Sequence, residues 1–457
     1  MAEHTISLVK SLKKLLDDKK YQTLKDILTT MNGADIAAVF EEMDEERTPL
    51  LFRLLPKELA AETFAELSPE LQEHLIRGFS DKELREVVSE LYVDDAADLV
   101  EEMPASVVKR ILAQADPQMR REINEILRYP ENSAGSIMTT EYVSLRPNMT
   151  IAEALQRIRR TGVDKETIYT CYVTKERRLI GTVSVKDMLL APDENTPVSE
   201  IMDENVISVN TLTDQEEVAQ MLSKYNFLAL PVVDTDGRMV GIVTFDDAID
   251  VLVEETTEDI EKMAGMLPSE KTYLRSTPWD LFKHRIPWLL LLMVSATFTG
   301  MIITRFESAL AAQVVLTAFI PMLMDTGGNS GSQASVTVIR ALSLGELELR
   351  DLPKVVWKEV QTAVLCGVAL ATLCFAKIMV FDRMILGNTD ITAMTAFVVC
   401  LTMAVTVLVA KVVGCTLPLF AKKLGFDPAV MASPFITTIV DALSLLVYFG
   451  IASALLF

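Results

Sequence analysis

The sequence predicts a multidomain chain: an all-α superhelical N-terminal part, an α/β part built as a tandem pair, an acidic connecting helix and a five-helix α transmembrane part. Three observations predict it. The net charge of −21 is unevenly spread: residues 280–457 hold 12 Lys+Arg and 11 Asp+Glu, which leaves 31 and 53, a net of −22, for residues 1–279. A pair of short motifs recurs 60–64 residues apart in the middle of the chain. Beyond Lys283 apolar stretches dominate. Such acidity disfavours nucleic acid and favours cations, or surfaces that cations bring together. A solvated acidic surface accounts for the composition as well. The expected boundaries are 1–130, 131–252 (divided into 131–195 and 196–252), 253–282 and 283–457.

Residues 1–130 read as helical throughout, with apolar positions recurring at three and four. Helix starts are expected at Asp35, Glu46, Pro56, Pro69, Asp81, Asp94, Pro104 and Pro117, in a run that Pro, Ser or Asp punctuates every eleven to thirteen residues. The stretch from Lys57-Glu-Leu repeats at Lys82-Glu-Leu, as expected of helical hairpins stacked into a superhelix. The acids Glu41, Glu42, Asp94, Asp95, Asp98, Glu101 and Glu102 read mostly as a solvated face, a minority holding ions against another domain. Met1 to Tyr21 lacks the apolar core of a secretory signal. The five cysteines show neither CxxC spacing nor a disulfide framework.

In residues 131–252, Ile137-Met-Thr returns as Ile201-Met-Asp, and Gly181-Thr-Val-Ser as Gly241-Ile-Val-Thr. Each copy reads strand, helix, strand, strand, helix, with strand pairs at Ile168–Val173 and Leu179–Val183, then Leu230–Val233 and Met239–Val243. The pattern resembles a tandem pair of CBS domains. Ser184 with Asp187, and Thr244 with Asp247, match that family's hydroxyl-x-x-Asp signature. The resemblance implies an Asp placed for a ribose and a hydroxyl placed for phosphate. Many such modules bind nothing.

The run Val253 to Leu267 reads as one helix whose Glu255, Glu258 and Asp259 share a face, with Asp247 and Asp250 just upstream. Like charges at this spacing repel by a few tenths of a kcal/mol per pair unless a cation bridges them, and carboxylate oxygens suit hard divalent ions. An exposed acidic helix is the alternative.

The apolar spans are expected at about 286–304, 309–342, 359–381, 391–420 and 429–456. Lys and Arg cluster before the first, after the second and after the fourth, so the positive-inside rule places the soluble part in the cytoplasm and the C-terminus outside. Pro321 and Gly327, Gly328 and Gly331 are expected to interrupt the second span, as backbone lining a cavity or as a small-residue packing face. Asp325, Asn329 and Gln333 are more polarity than packing needs. Asp441 lies near the middle of the last span, where a charge costs about 2.5–3.5 kcal/mol. It serves an ion, or it hydrogen-bonds to Thr437, Thr438 or Ser444.

This order of parts, with Thr326-Gly-Gly-Asn-Ser-Gly-Ser-Gln, Asp427-Pro-Ala with Asp441, and Asp246-Asp-Ala-Ile-Asp through Thr257-Glu-Asp-Ile, resembles the MgtE family of bacterial magnesium channels over nearly the whole chain. The resemblance implies a homodimer with one ion path on its two-fold axis, Asp441 facing a hydrated ion, and Gly328, Asn329, Ser433 and Thr437 nearby. It implies that Mg2+ held by Asp94 or Asp95, Asp247, Asp250, Glu255, Glu258 and Asp259 closes the channel. It further implies ATP in the CBS pair near Tyr169, Asp187 and Phe227. Asn226 stands where relatives can carry Asp, Ser433 where an Asn can occur, and Thr437 where a smaller residue can.

The expected function is Mg2+ uptake across the inner membrane, driven by the membrane potential and closed by cytosolic Mg2+. Two alternatives are a proton-coupled divalent-cation transporter and a membrane-anchored nucleotide or Mg2+ sensor. An enzyme is not expected: there is no Walker loop, and His4, His74 and His284 form no cluster.

Overall fold

The computed structural model describes residues 2–269, 273, 276–307, 311, 313–388, 390–431 and 433–456, without the side chains of 2–7, 164 and 433. The side chains of His4 and Ser433 therefore lie outside the described residues. The chain divides into two compact units, Met1–Leu252 and Val253–Phe457.

The first unit opens with short helices from Ala2–Asp17 to Pro117–Ile126. Proline sets several starts: Pro69 and Pro117 stand in first turns, and Pro56 and Pro104 are N-caps. A missing amide hydrogen costs nothing there. Asp116 accepts from the Gln118 and Met119 amides, a cap worth about 1 kcal/mol. Two expected starts are displaced, to Gly33–Glu41 and Thr48–Phe52, because Asn32 precedes the one and Pro49 opens the other. Successive turns of the stack are bridged by Arg47–Asp17, Arg53–Glu83 and Arg110–Asp81, partners 29 or 30 residues apart. These pairs are largely exposed and worth about 0–1 kcal/mol each. The stability lies in the core, where Phe52, Phe64 and Phe79 pack with ring centres 5.3–6.4 Å apart.

The tandem repeat follows. Strands β1 (Ser144–Leu145), β2 (Thr170–Lys175) and β3 (Arg178–Ser184) form one sheet, and β4 (Val209–Asn210), β5 (Ala229–Val233) and β6 (Met239–Thr244) the other. In each sheet the first strand runs parallel to the second and the second antiparallel to the third. The two recurring motifs hold each other. Thr139 bridges to Ile242 of β6, and Asp203 to Thr182 of β3. A Cβ on Gly241 would stand 2.7 Å from Met138 Sδ, and one on Gly181 would stand 2.6 Å from Met202 Sδ. The Met of each Ile-Met motif thus fills the space that glycine leaves in the other copy.

The helix Phe245–Met263 begins as the closing helix of the second copy. It starts earlier than the expected connecting helix and stops four residues before Leu267. Gly265, at φ +71°, explains the stop: the left-handed region ends a helix and favours glycine.

Among the described residues of the second unit, four helices are long and apolar enough to cross a membrane: Pro278–Arg305, Leu349–Ile385, Ala393–Lys423 and Pro428–Leu456. The remaining expected span contains a helix, Ile320–Ser343, that does not reach that apolarity among the described residues. It is about 36 Å long and could still cross a core of about 30 Å. Contrary to expectation it is unbroken through Gly327, Gly328 and Gly331, and the irregular backbone precedes it as the 3-10 turn Val314–Phe319. Packing is the reason. A Cβ on Gly327 would lie 2.7 Å from Ser444 Oγ, one on Gly328 2.8 Å from Thr437 Cγ2, and one on Gly331 2.9 Å from Ile436 Cγ2. Glycine costs a helix about 1 kcal/mol per residue, and here it admits close neighbours along a face.

Candidate functional site

Carboxylate clusters and hydroxyl–carboxylate turns are the chemistry-bearing groups among the described residues. In the first unit, the helix Val93–Glu102 presents Asp94, Asp95 and Asp98 to Asp246 and Asp247 of the second repeat copy and to Glu166 of the first. Asp94 is only 7% exposed and belongs to the minority set against another element, whereas Glu42, Asp98, Glu101 and Glu102 are exposed, as expected of a mostly solvated face. Burial, then the charge of Asp247, lifts Asp94 well above the usual carboxylate range, Asp95 to about 6 and Glu166 to about 8. Asp98 keeps contact with solvent, yet the same two causes lift it to about 7. Asp247 rises to about 6 through burial, despite the hydroxyl of Thr244 that donates to it. Asp250 is raised by burial and by Asp246. These acids repel at neutral pH, and a hard divalent cation is the ligand that all-oxygen donors suit. Among the described residues, no three His, Cys, Asp or Glu side chains converge in ligating geometry. Glu41 acts elsewhere, accepting at 2.8 Å from the amide of Ser68, the N-cap of the helix Pro69–Gly78.

In the first repeat copy, β2–β3 pairing sets Thr170 opposite Ser184, and the Tyr169 carbonyl accepts from the Val185 amide at 3.0 Å. Tyr169 is exposed, and Ser184 Oγ donates to Asp187 Oδ2 at 2.6 Å. Tyr169 and Asp187 are thus brought to one turn. Phe227 belongs to the second copy, where it packs on that sheet's core and stacks with Tyr225 at 5.5 Å. Asn226 is the left-handed C-cap of the helix Gln215–Tyr225, a position suited to Asn.

In the second unit, the helix Ile320–Ser343 has two faces. Gly327, Gly328 and Gly331 pack against its neighbours, whereas Asp325, Asn329, Gln333 and Thr337 recur every four residues along an exposed stripe. Asn329 Nδ2 donates to Asp325 Oδ1 at 3.0 Å. The small-residue packing reading thus describes one face, the expected break in the backbone is absent, and the polar side chains lie on the other face. Asp441 is about 12 Å along its own helix of about 36 Å, nearer its middle than either end, and it stands close to the centre of the span Pro428–Leu456, as expected. It lies close enough to Asp325 for the two carboxylates to repel. Its Oδ1 is buried without a hydrogen bond. The expected hydroxyl partners face elsewhere: Thr438 donates to the Pro434 carbonyl, Ser444 to the Val440 carbonyl, and Thr437 lies 3.4 Å from Ser332 Oγ. Gly328 is covered by Thr437.

The connecting helix ends on this unit. Lys262 Nζ lies 2.7 Å from both Glu258 Oε1 and Asp427 Oδ2, and Ser343 Oγ donates to Asp259 at 3.1 Å. Burial holds Asp259 above the usual range, partly countered by the Ser343 hydroxyl. Burial pulls Lys262 down, but Asp427 and Glu258 together carry it above the usual lysine value. The expected acidic face of Glu255, Glu258 and Asp259 thus has a lysine bound to one of its members.

The second unit matches, over residues 320–451, the family model MgtE, described as a divalent cation transporter. Residues 31–132 match the MgtE intracellular N domain, and 134–194 and 198–254 match CBS domains. Over 454 residues the chain is 38% identical to the magnesium transporter MgtE of Thermus thermophilus, covering 98% of each. The chain belongs to the MgtE family. The Bacillus subtilis magnesium transporter MgtE is 32% identical, covering 96% of this chain and 95% of its own. Among solved structures, the cytosolic domain of the Mg2+ channel MgtE in complex with ATP is 41% identical, with a TM-score of 0.51, over 53% of this chain and 99% of that one. The soluble part of a magnesium transporter is 30% identical with the same TM-score, over 55% and 99%.

In this MgtE family member the geometry adds residues that sequence reasoning does not assign to a site. Asp325 and Gln333 share the stripe of Asn329, and their spacing of four is the available signal. Glu166 joins the acidic hollow from a loop, with no spacing to announce it.

Proposed function

We propose that this chain carries Mg2+ into the cell across the inner membrane, as a homodimeric channel that the membrane potential drives and cytosolic Mg2+ closes. The observation that carries the reading is the exposed stripe Asp325–Asn329–Gln333 beside Asp441. Lipid cannot satisfy amides and carboxylates at membrane depth, whereas water and a cation can. Mg2+ sheds its waters reluctantly, so a few carboxylates and amides suit the hydrated ion better than a dry cage. A two-fold axis along the stripe brings two Asp441 to one path. Thr437 and Ser433 belong to the same helix, and the close packing of Gly328 on Thr437 holds Asn329 beside them. Two charges moving down the potential release about 4.6 kcal/mol per 100 mV, so inward flow requires no hydrolysis.

In the cytosol, Mg2+ held among Asp94, Asp95 and Asp247, and near Asp250, Glu255, Glu258 and Asp259, relieves their repulsion and favours the closed state. Tyr169 offers an exposed ring for a base and Asp187 a carboxylate for a ribose, chemistry that fits ATP, with Phe227 contributed by the other copy. The N-terminal parts are cytosolic, and the C-terminus emerges outside.

Mg2+ uptake in a strain that depends on added magnesium tests this, comparing wild type with Asp441→Ala and Asp441→Asn. Uptake by wild type alone supports the reading, and variants as active as wild type would overturn it. Flux that followed a pH gradient at fixed voltage would favour proton coupling instead.

A further inference from the structure

Two charged side chains inside the membrane unit have no part in the transport reading. Lys411 lies well inside the helix Ala393–Lys423 and is 5% exposed. Glu359 lies in the first third of the helix Leu352–Lys377. Lys411 Nζ is 3.6 Å from Glu359 Oε2, an oxygen that is buried and accepts no hydrogen bond. Ionised groups at such depth are retained where they are paired or used.

Their surroundings show what the pair can do. Val355 and Cys415, one turn from Glu359 and Lys411, share an apolar cluster with Val338 and Leu342 of the stripe-bearing helix. Gly414, three residues from Lys411, meets the Gly331 carbonyl with no room for a Cβ. In return, a Cβ on Gly331 would stand 3.2 Å from the Ala410 carbonyl. Here the helix Ala393–Lys423 crosses the stripe-bearing helix backbone to backbone. Such a contact brings the two backbones close, so a shift of one helix is passed to the other. The ion pair one turn away ties the helix Ala393–Lys423 to Leu352–Lys377.

We propose that Glu359 and Lys411 are positioning residues for transport. Their neutral pair fixes the helix Ala393–Lys423 against Leu352–Lys377. Through the Gly331–Gly414 crossing it holds Asp325, Asn329 and Gln333 at their depth beside Asp441. Glu359 also masks a positive charge that would otherwise oppose a cation in the same bundle, so losing Glu359 is worse than losing Lys411. The inference rests on the transport reading.

The test is Mg2+ uptake into vesicles containing the purified full chain at equal amounts of folded protein. The variants are Glu359→Gln, Lys411→Met, the two together, and the exchanged pair Glu359→Lys with Lys411→Glu. Expected is a loss of maximal uptake of at least tenfold in Glu359→Gln and about threefold in Lys411→Met, with half-saturating Mg2+ unchanged within twofold. Both double variants should recover to within threefold of wild type. Single variants with wild-type uptake, or double variants as inactive as Glu359→Gln, would overturn the proposal. If the single variants do not fold, the double variants decide by the same criterion. Wild type that moves no Mg2+ would overturn the transport reading itself, and this inference with it.

Discussion

Asp441 and the acids around Asp247 are built from the same chemical group and placed in opposite company. Asp247 stands among Asp94, Asp95, Asp98, Asp246 and Glu166; its charge raises the proton affinity of Asp94, Asp95, Asp98 and Glu166, and Asp246 raises its own. Among the described residues, Asp325 is the one carboxylate whose charge acts on Asp441. A crowd shares its charge, so losing one member leaves most of the field. A near-solitary charge cannot be replaced by its neighbours. The first arrangement suits graded sensing, the second a step that happens or does not.

The difference can be broken most sharply at Asp441. Asn keeps its size and removes its charge, and uptake should fall on the order of 100-fold, the equivalent of about 2.5–3.5 kcal/mol. A tracer-flux assay with loss below threefold would remove the distinction. In the crowd, Asp247→Asn should raise the cytosolic Mg2+ needed for half-closure by about tenfold, as expected for losing one charge-assisted contact, and patch recordings would read it. Asp187→Ala should weaken ATP binding about tenfold while Asp247→Ala leaves it within threefold, measured by calorimetry on the full chain.

Acid should imitate the cation. Because Asp95, Asp247, Asp98 and Glu166 are raised to about 6, 6, 7 and 8, their penalty is absent below the ordinary carboxylate range. It accumulates as pH rises through those values, so stability is lost towards pH 8. Without Mg2+, the chain at pH 5 should resist proteolysis better than at pH 8, and Mg2+ should erase the difference. The smallest effect is expected at Asp98, whose side chain is exposed so that solvent screens most of the repulsion that raises it: Asp98→Asn should change stability by less than about 0.5 kcal/mol and half-closure by less than twofold.

The elements are legible where periodicity or repetition speaks directly. Helical spacing reveals the N-terminal stack, and the recurrence of Ile-Met and Gly reveals the tandem copies. The stripe-bearing helix reads wrongly as broken because glycine usually weakens a helix. Only neighbours such as Thr437 and Ser444 show that Gly327 and Gly328 are there for contact. The connecting helix reads as separate, since the register shared with Phe245 is set by the second copy's fold. An acidic face is legible at Glu258, but its lysine partner needs the weight of Lys262, four residues on. Glu166 cannot be found at all, since a loop residue acquires its acidic neighbours only through tertiary packing. Asp441 and the motif around Asn329 are legible as polarity in an apolar setting, although their partners are not.

The reciprocal packing of Met138 on Gly241 and Met202 on Gly181 has a consequence for how such a chain could arise and be cut. Each repeat carries the plug for its twin and lacks its own. An ancestral single copy could satisfy that geometry only by pairing with another molecule of itself. After duplication the same clasp closes within one chain, so severing the pair near residue 195 should yield halves that reassociate rather than two independent proteins.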